Sequence, residues 1–220
     1  MGRTKDSQEL VVGPAAEGVP NVLAVLLHDR LVSRQTARAV ASRWAATVPT
    51  TAFLIPACCD RVGRGSLPGT AVPLAAVLDA EARRLTPLIV RYLHAYRLDP
   101  SRLVLIGCGL GGTLALHLGL RRGLVEAGVL AFAATLTNAL WPAGVTTGKV
   151  RIITCADEQE VARPRLGAFM DELISRGVDV RGVAMDLTSE RKAILRLGGA
   201  YLAELVATAH RGADARRARW

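Results

Sequence analysis

Six short apolar runs, at residues 21–27, 51–55, 103–108, 128–132, 150–155 and 178–185, are each closed by turn residues and separated by helical patterns. Their near-continuous apolarity, without polar alternation, is what strands buried on both faces of a parallel sheet require. The helical segments between them carry apolar stripes. Ser33 can cap a helix running through Arg43. Leu78, Leu85, Ile89 and Leu93 share one face of a segment that Pro87 can kink. Gly111 begins another helix, Leu166, Met170, Leu173 and Ile174 make a further stripe, and Ile194, Leu197, Tyr201 and Leu205 make the last. Strand and helix alternation in a chain of 220 residues predicts one doubly wound α/β sandwich, with ligand chemistry at the carboxyl ends of the strands.

Composition narrows the function classes. Half the residues are hydrophobic and about a fifth are charged, enough for one domain with a full core and no second one. The uncharged stretch 127–148 holds Gly128, Thr135, Asn138, Pro142 and Gly144, so it reads as a strand and loop rather than a membrane span. The first residues, "MGRTKDSQEL", run straight into charges without a secretory pattern, which makes the cytoplasm the default expectation. Cys58, Cys59, Cys108 and Cys155 lack CxxC or metal-ligand spacing and are expected as reduced thiols, with no metal and no cofactor. The net charge of +9 comes largely from arginine, and no nucleic-acid motif accompanies it, so a solvated basic surface is expected rather than nucleic-acid binding.

The third run breaks into glycines, "LVLIGCGLGG", and continues as a helix. Gly107, Gly109 and Gly112 spell a literal G-x-G-x-x-G, but the unit is central in the chain and the expected acidic residue has no counterpart better than Glu126. A Walker loop fails because no lysine follows. The remaining reading is a nucleophile elbow, G-x-S-x-G, in which Gly107 and Gly111 flank the turn, Cys108 and Leu110 fill the variable positions, and Gly109 stands where serine belongs.

With that motif the chain resembles the phospholipase/carboxylesterase (acyl-protein-thioesterase-like) branch of the α/β hydrolases over nearly its whole length. "VVGPAAEGVPNVLAVLLHD" is similar to the family's opening strands and Leu-Leu-His-Gly turn, "LDPSRLVLIGCGLGGTLALHLGLRR" to its elbow segment, and "VRIITCADEQEV" to its strand ending in His-Gly-x-x-Asp. The resemblance implies an α/β-hydrolase-like three-layer sandwich with a mostly parallel sheet. Its organisation would be an N-terminal segment 1–20 leading into the first edge strands, one domain at 21–209 and a basic tail at 210–220. It also implies serine chemistry on esters or thioesters through a Ser-Asp-His triad.

Carried over position by position, the triad falls on Gly109, on Asp157 or Glu158, and on Thr188, counted back from Gly198 and Gly199. No histidine lies between His117 and His210. The oxyanion loop becomes "HDRLVSRQT", with His28, Asp29 and Arg30 at its start. Asp29 replaces a glycine with a negative charge, and Leu110 still offers a backbone N–H. Cys108 is expected to point away from the turn into the core, and His28 to be structural. The expectation is therefore a non-catalytic member of the family, binding an unidentified protein or small molecule and able to form a homodimer. The alternative is a carboxylesterase or thioesterase that uses His28, a cysteine, Asp157 or Glu158 in a non-standard arrangement.

Overall fold

In a computed structural model of the chain, the described residues are 9–28, 32–57, 73–123, 127–137, 148–156, 159–186 and 191–217. They form β1 (Leu10–Val12), β2 (Val22–Leu27), α1 (Arg34–Ala45), β3 (Thr51–Ile55), α2 (Leu74–Tyr96) and β4 (Leu103–Cys108). Then follow α3 (Leu110–Leu116), β5 (Gly128–Phe132), β6 (Lys149–Ala156), α4 (Gln159–Ser175), β7 (Asp179–Asp186) and α5 (Arg191–Arg217). The sheet order is β1-β3-β2-β4-β5-β6-β7, with β1 antiparallel to β3 and every other pair parallel. This is the expected three-layer α/β sandwich.

Alternation along β2 shows how one run of apolar residues serves both layers. Leu23, Val25 and Leu27 pack with Leu85 and Ile89 of α2 and Leu114 of α3. Val22, Ala24 and Leu26 pack with Ala41 and Trp44 of α1 and Leu202 and Leu205 of α5. Because successive side chains alternate across a strand, a strand covered on both faces must be apolar throughout, and all six residues of β2 are buried.

Local signals set the helix ends. Ser33 Oγ accepts the Thr36 backbone N–H at 3.0 Å, capping α1. The expected kink does not end α2, which continues through Pro87 to Tyr96, where Arg97 closes it in a left-handed conformation. The stripe expected on α4 is shifted: Phe169 is buried, whereas Ile174 is 55% exposed. Among the described residues no helix is long and apolar enough to cross a membrane.

The chain runs from β2 outward to β3, then returns to place β4 on the other side of β2. That reversal opens a crevice beyond the carboxyl ends of β2 and β4, where an open α/β sheet binds its ligands. His28 follows β2 and Gly109 follows β4.

Candidate active site at the carboxyl ends of the central strands

The turn after β4 is set by glycines for two separate reasons. Gly109 has φ 58 and ψ −125, a region that side chains occupy only under strain. Gly107 and Gly111 are required by close backbone approach. A Cβ on Gly107 would lie 2.1 Å from the Gly111 carbonyl oxygen, and one on Gly111 would lie 2.3 Å from the Leu27 carbonyl oxygen. The turn is tied to β5 by the Gly109 N–H, which donates to the Phe132 carbonyl at 2.9 Å. Thr113, on the first turn of α3, accepts the Thr135 N–H at 2.9 Å through its hydroxyl. Leu110 opens α3, so its N–H has no acceptor within the helix.

His28 is buried, and its Nδ1 lies 3.0 Å from the Val32 carbonyl oxygen. A carbonyl only accepts, so Nδ1 donates this bond, and in the neutral ring the lone pair then lies on Nε2. Cys108, expected in the core beside the strand, is instead half-buried and forms part of a cavity wall. That cavity, of about 580 Å³, extends from the end of β4 between α1 and the start of α5. Besides Cys108 and His28 its wall includes Leu27, Val40, Trp44 and Leu195. Trp44 stacks on Phe132 with ring centroids 5.9 Å apart, and its indole N–H donates to the Leu195 carbonyl at 3.1 Å. The end of α5 that carries Leu195 is thereby fixed against α1. Ala133, on the same wall, sits at φ 46, a strained value for a residue with a side chain.

Asp29, Arg30, Asp157, Glu158 and Thr188 lie outside the described residues, as do Cys58 and Cys59. The structure therefore brings together His28, Gly107, Cys108, Gly109, Leu110 and Gly111 at one edge. The cavity itself had no signal in the sequence, since it arises from how α1 and α5 meet. His117, on the helical extension of α3, belongs to a different cluster. Its Nε2 lies 3.0 Å from Asp79 Oδ1, which also accepts from Arg122 at 2.7 Å. Burial lowers the pKa of His117 below its ordinary value, against the opposing pull of Asp79. Among the described residues no three His, Cys, Asp or Glu side chains converge as a metal site.

A mostly parallel sandwich with a glycine-flanked turn after β4 and a crevice above β2 and β4 is the α/β-hydrolase fold. Solved structures agree. Esterase PE8 superimposes with a TM-score of 0.64 at 22% identity, over 90% of this chain and 98% of its own. The structure of YahD with malic acid gives 0.68 at 18% identity, with 90% and 98% covered. A phospholipase/carboxylesterase from Dyadobacter fermentans DSM 18053 gives 0.63 at 16% identity, with 89% and 96% covered. No protein-family model matches the sequence, and no curated protein matches it. At these identities the likeness establishes the fold. It also corrects the expectation of a non-catalytic binding module, because the structures sharing the fold are described as esterases and carboxylesterases and favour the hydrolase alternative.

Proposed function

We propose that the chain is a carboxylesterase or thioesterase with a non-standard catalytic arrangement, in which Cys108 is the nucleophile and His28 the base. The observation that carries this reading is that a thiol and an imidazole share one cavity wall beside the turn. A helix-terminal N–H adjoins them at Leu110. His28 Nε2 takes the thiol proton, and the thiolate attacks the acyl carbonyl carbon. The Leu110 N–H receives the negative charge that develops on the oxygen. Collapse expels the alcohol or thiol, which leaves with the proton held by His28, and a thioester to Cys108 remains. Water then attacks that thioester, His28 accepts its proton, and the carboxylic acid departs as the thiol is restored. Gly109 at the tip keeps the turn free of a side chain next to the reacting carbonyl. A reducing, cytoplasmic setting in which the thiol persists goes with this chemistry.

Turnover of p-nitrophenyl butyrate by the purified chain tests it. The expected result is hydrolysis that falls at least about a hundredfold in Cys108→Ala and in His28→Gln, with melting temperature recorded to separate chemistry from folding. No turnover by the parent chain, or turnover that survives Cys108→Ala, overturns the proposal.

A further inference from the structure

The cavity contains one uncommon element for an apolar acyl site. Among the described residues of its wall, Arg43 is the only one with a charged side chain, and it is exposed. The other arginines and lysines of the described structure that form ion pairs do so elsewhere, with Glu81, Glu9, Asp79, Asp179, Glu204 and Glu172. Arg43 makes no ion pair or side-chain hydrogen bond among the described residues, so its solvated guanidinium is available to a ligand at that end of the cavity. Its position on α1 is set by helical geometry. Thr36, Val40 and Arg43 follow one another at spacings of four and three, so they line one face. Thr36 lies in the first turn, at the level of the sheet's carboxyl edge, and Arg43 lies in the last. Seven residues at 1.5 Å each separate them by about 10 Å along the axis.

The geometry points to a substrate whose acyl group is an aliphatic chain ending in an anion, laid along α1 from the Cys108 end to Arg43. This assignment rests on the hydrolase reading for the identity of the reacting group, and on the cavity alone for the shape and charge of the chain. The apolar stretch between the ends, with Val40, Trp44 and Leu195, takes up the methylene groups and gains by removing them from water. The single cation at the far end selects a carboxylate there, while a neutral chain of the same length leaves it solvated. Length adds a second criterion, since Thr36, at the level of the sheet's carboxyl edge, and Arg43 lie about 10 Å apart along the helix axis, which favours a longer dicarboxylic half-ester over a short one.

Two measurements on the full-length chain test this separately from the chemistry. In the first, p-nitrophenyl half-esters of succinic and suberic acid are compared with p-nitrophenyl octanoate. The hemisuberate should show the highest kcat/KM, and its advantage over the octanoate should shrink about tenfold in Arg43→Gln and be partly restored in Arg43→Lys. In the second, the non-hydrolysable suberic acid monoamide is titrated calorimetrically. It should bind the parent chain and weaken about tenfold in Arg43→Gln, and Val40→Trp, which fills the cavity, should abolish binding. If esters are hydrolysed with no preference for an anionic terminus and the monoamide does not bind, the assignment of the chain is overturned while the hydrolase reading stands. If no ester is turned over but the monoamide binds in an Arg43-dependent way, the hydrolase reading fails and the cavity assignment stands. Binding that Val40→Trp leaves intact places the ligand elsewhere and overturns the assignment.

Discussion

The two edges of the sheet are built on opposite principles. At the carboxyl edge the backbone does the shaping: glycines bring strand β4, helix α3 and strand β2 into closer contact than side chains allow, and the wall beside them is mostly apolar. At the amino edge of β6 and β7, charge does it. Arg151 is fully buried, donates to Glu204 at 2.6 Å and to Asp179 at 3.1 Å, and Lys149 lies 3.6 Å from both acids. Glu204 belongs to α5, so this network ties the last helix to the sheet. The hydrogen bond from Arg151 is the main reason the Glu204 carboxyl is held down at about 2, below its ordinary 4.5. The comparison teaches that ion pairs anchor the middle of α5 at one edge with their polar groups satisfied, while the start of α5, bonded to Trp44, borders the cavity at the other.

The sharpest way to break the carboxyl edge is Gly107→Ala. Its new Cβ would meet three backbone atoms of Gly111 and Gly112 within 2.5 Å, none of which can move alone. Unfolding by urea should show a loss of more than about 3 kcal/mol, or no folded protein at all. A stability within 1 kcal/mol, roughly the size of an ordinary surface change, would mean that the turn is looser than its geometry.

The corresponding break at the amino edge is Arg151→Ala, for which a cost of about 3 kcal/mol is expected, because two carboxylates lose the cation that offsets their burial. Asp179 and Glu204 are themselves partly exposed and can regain water, which keeps the effect below that of a wholly enclosed pair. Replacing Arg151 by methionine together with Glu204 by leucine should recover much of the loss. If the double replacement is as unstable as the single one, the network matters for more than compensation of charge.

Acid titration sharpens the same contrast. Glu204 is more acidic in the folded chain than when unfolded, so its contribution is complete above about pH 4.5, declines as pH falls, and is gone below about pH 2. Glu204→Gln should therefore flatten the fall in stability between those values, as read by melting temperature against pH. An unchanged slope would remove Glu204 from the account of acid stability.

The parts of the molecule that sequence disclosed are those governed by near neighbours along the chain. Ser33 and Thr36 are three residues apart, so a cap between them can be read directly. The strand runs could be placed because burial on both faces leaves no polar alternation. Gly107, Gly109 and Gly111 stand in a pattern whose spacing already contains the turn. What was hidden depends on contacts between distant segments. On α4, Leu166, Met170 and Leu173 span one face, but Phe169 lies on one flank of it and Ile174 on the other, and only the packing against β7 decides which flank is covered. The cavity needs α1 and α5 together, held by a bond from Trp44 to Leu195, 151 residues away. For that reason the sequence pattern puts Cys108 in the core although it borders open space, and marks Arg43 only as the end of a helix.

The smallest expected effect concerns the tip itself. Gly109→Ser would restore the residue that the turn's pattern calls for, yet φ 58 and ψ −125 are free of strain for glycine and not for serine. A loss of about 1 kcal/mol is expected, with the fold retained because the flanking glycines still admit the close approach. Turnover should not rise. A serine at the tip needs a base aligned to its hydroxyl, and the imidazole of His28 is fixed through its bond to the Val32 carbonyl beside Cys108. A gain in hydrolysis from this one substitution would show that His28, or a base elsewhere on the crevice, already serves the tip. It would move the proposed nucleophile one residue along the turn, from Cys108 to position 109, while leaving the cavity and its far-end cation where they are.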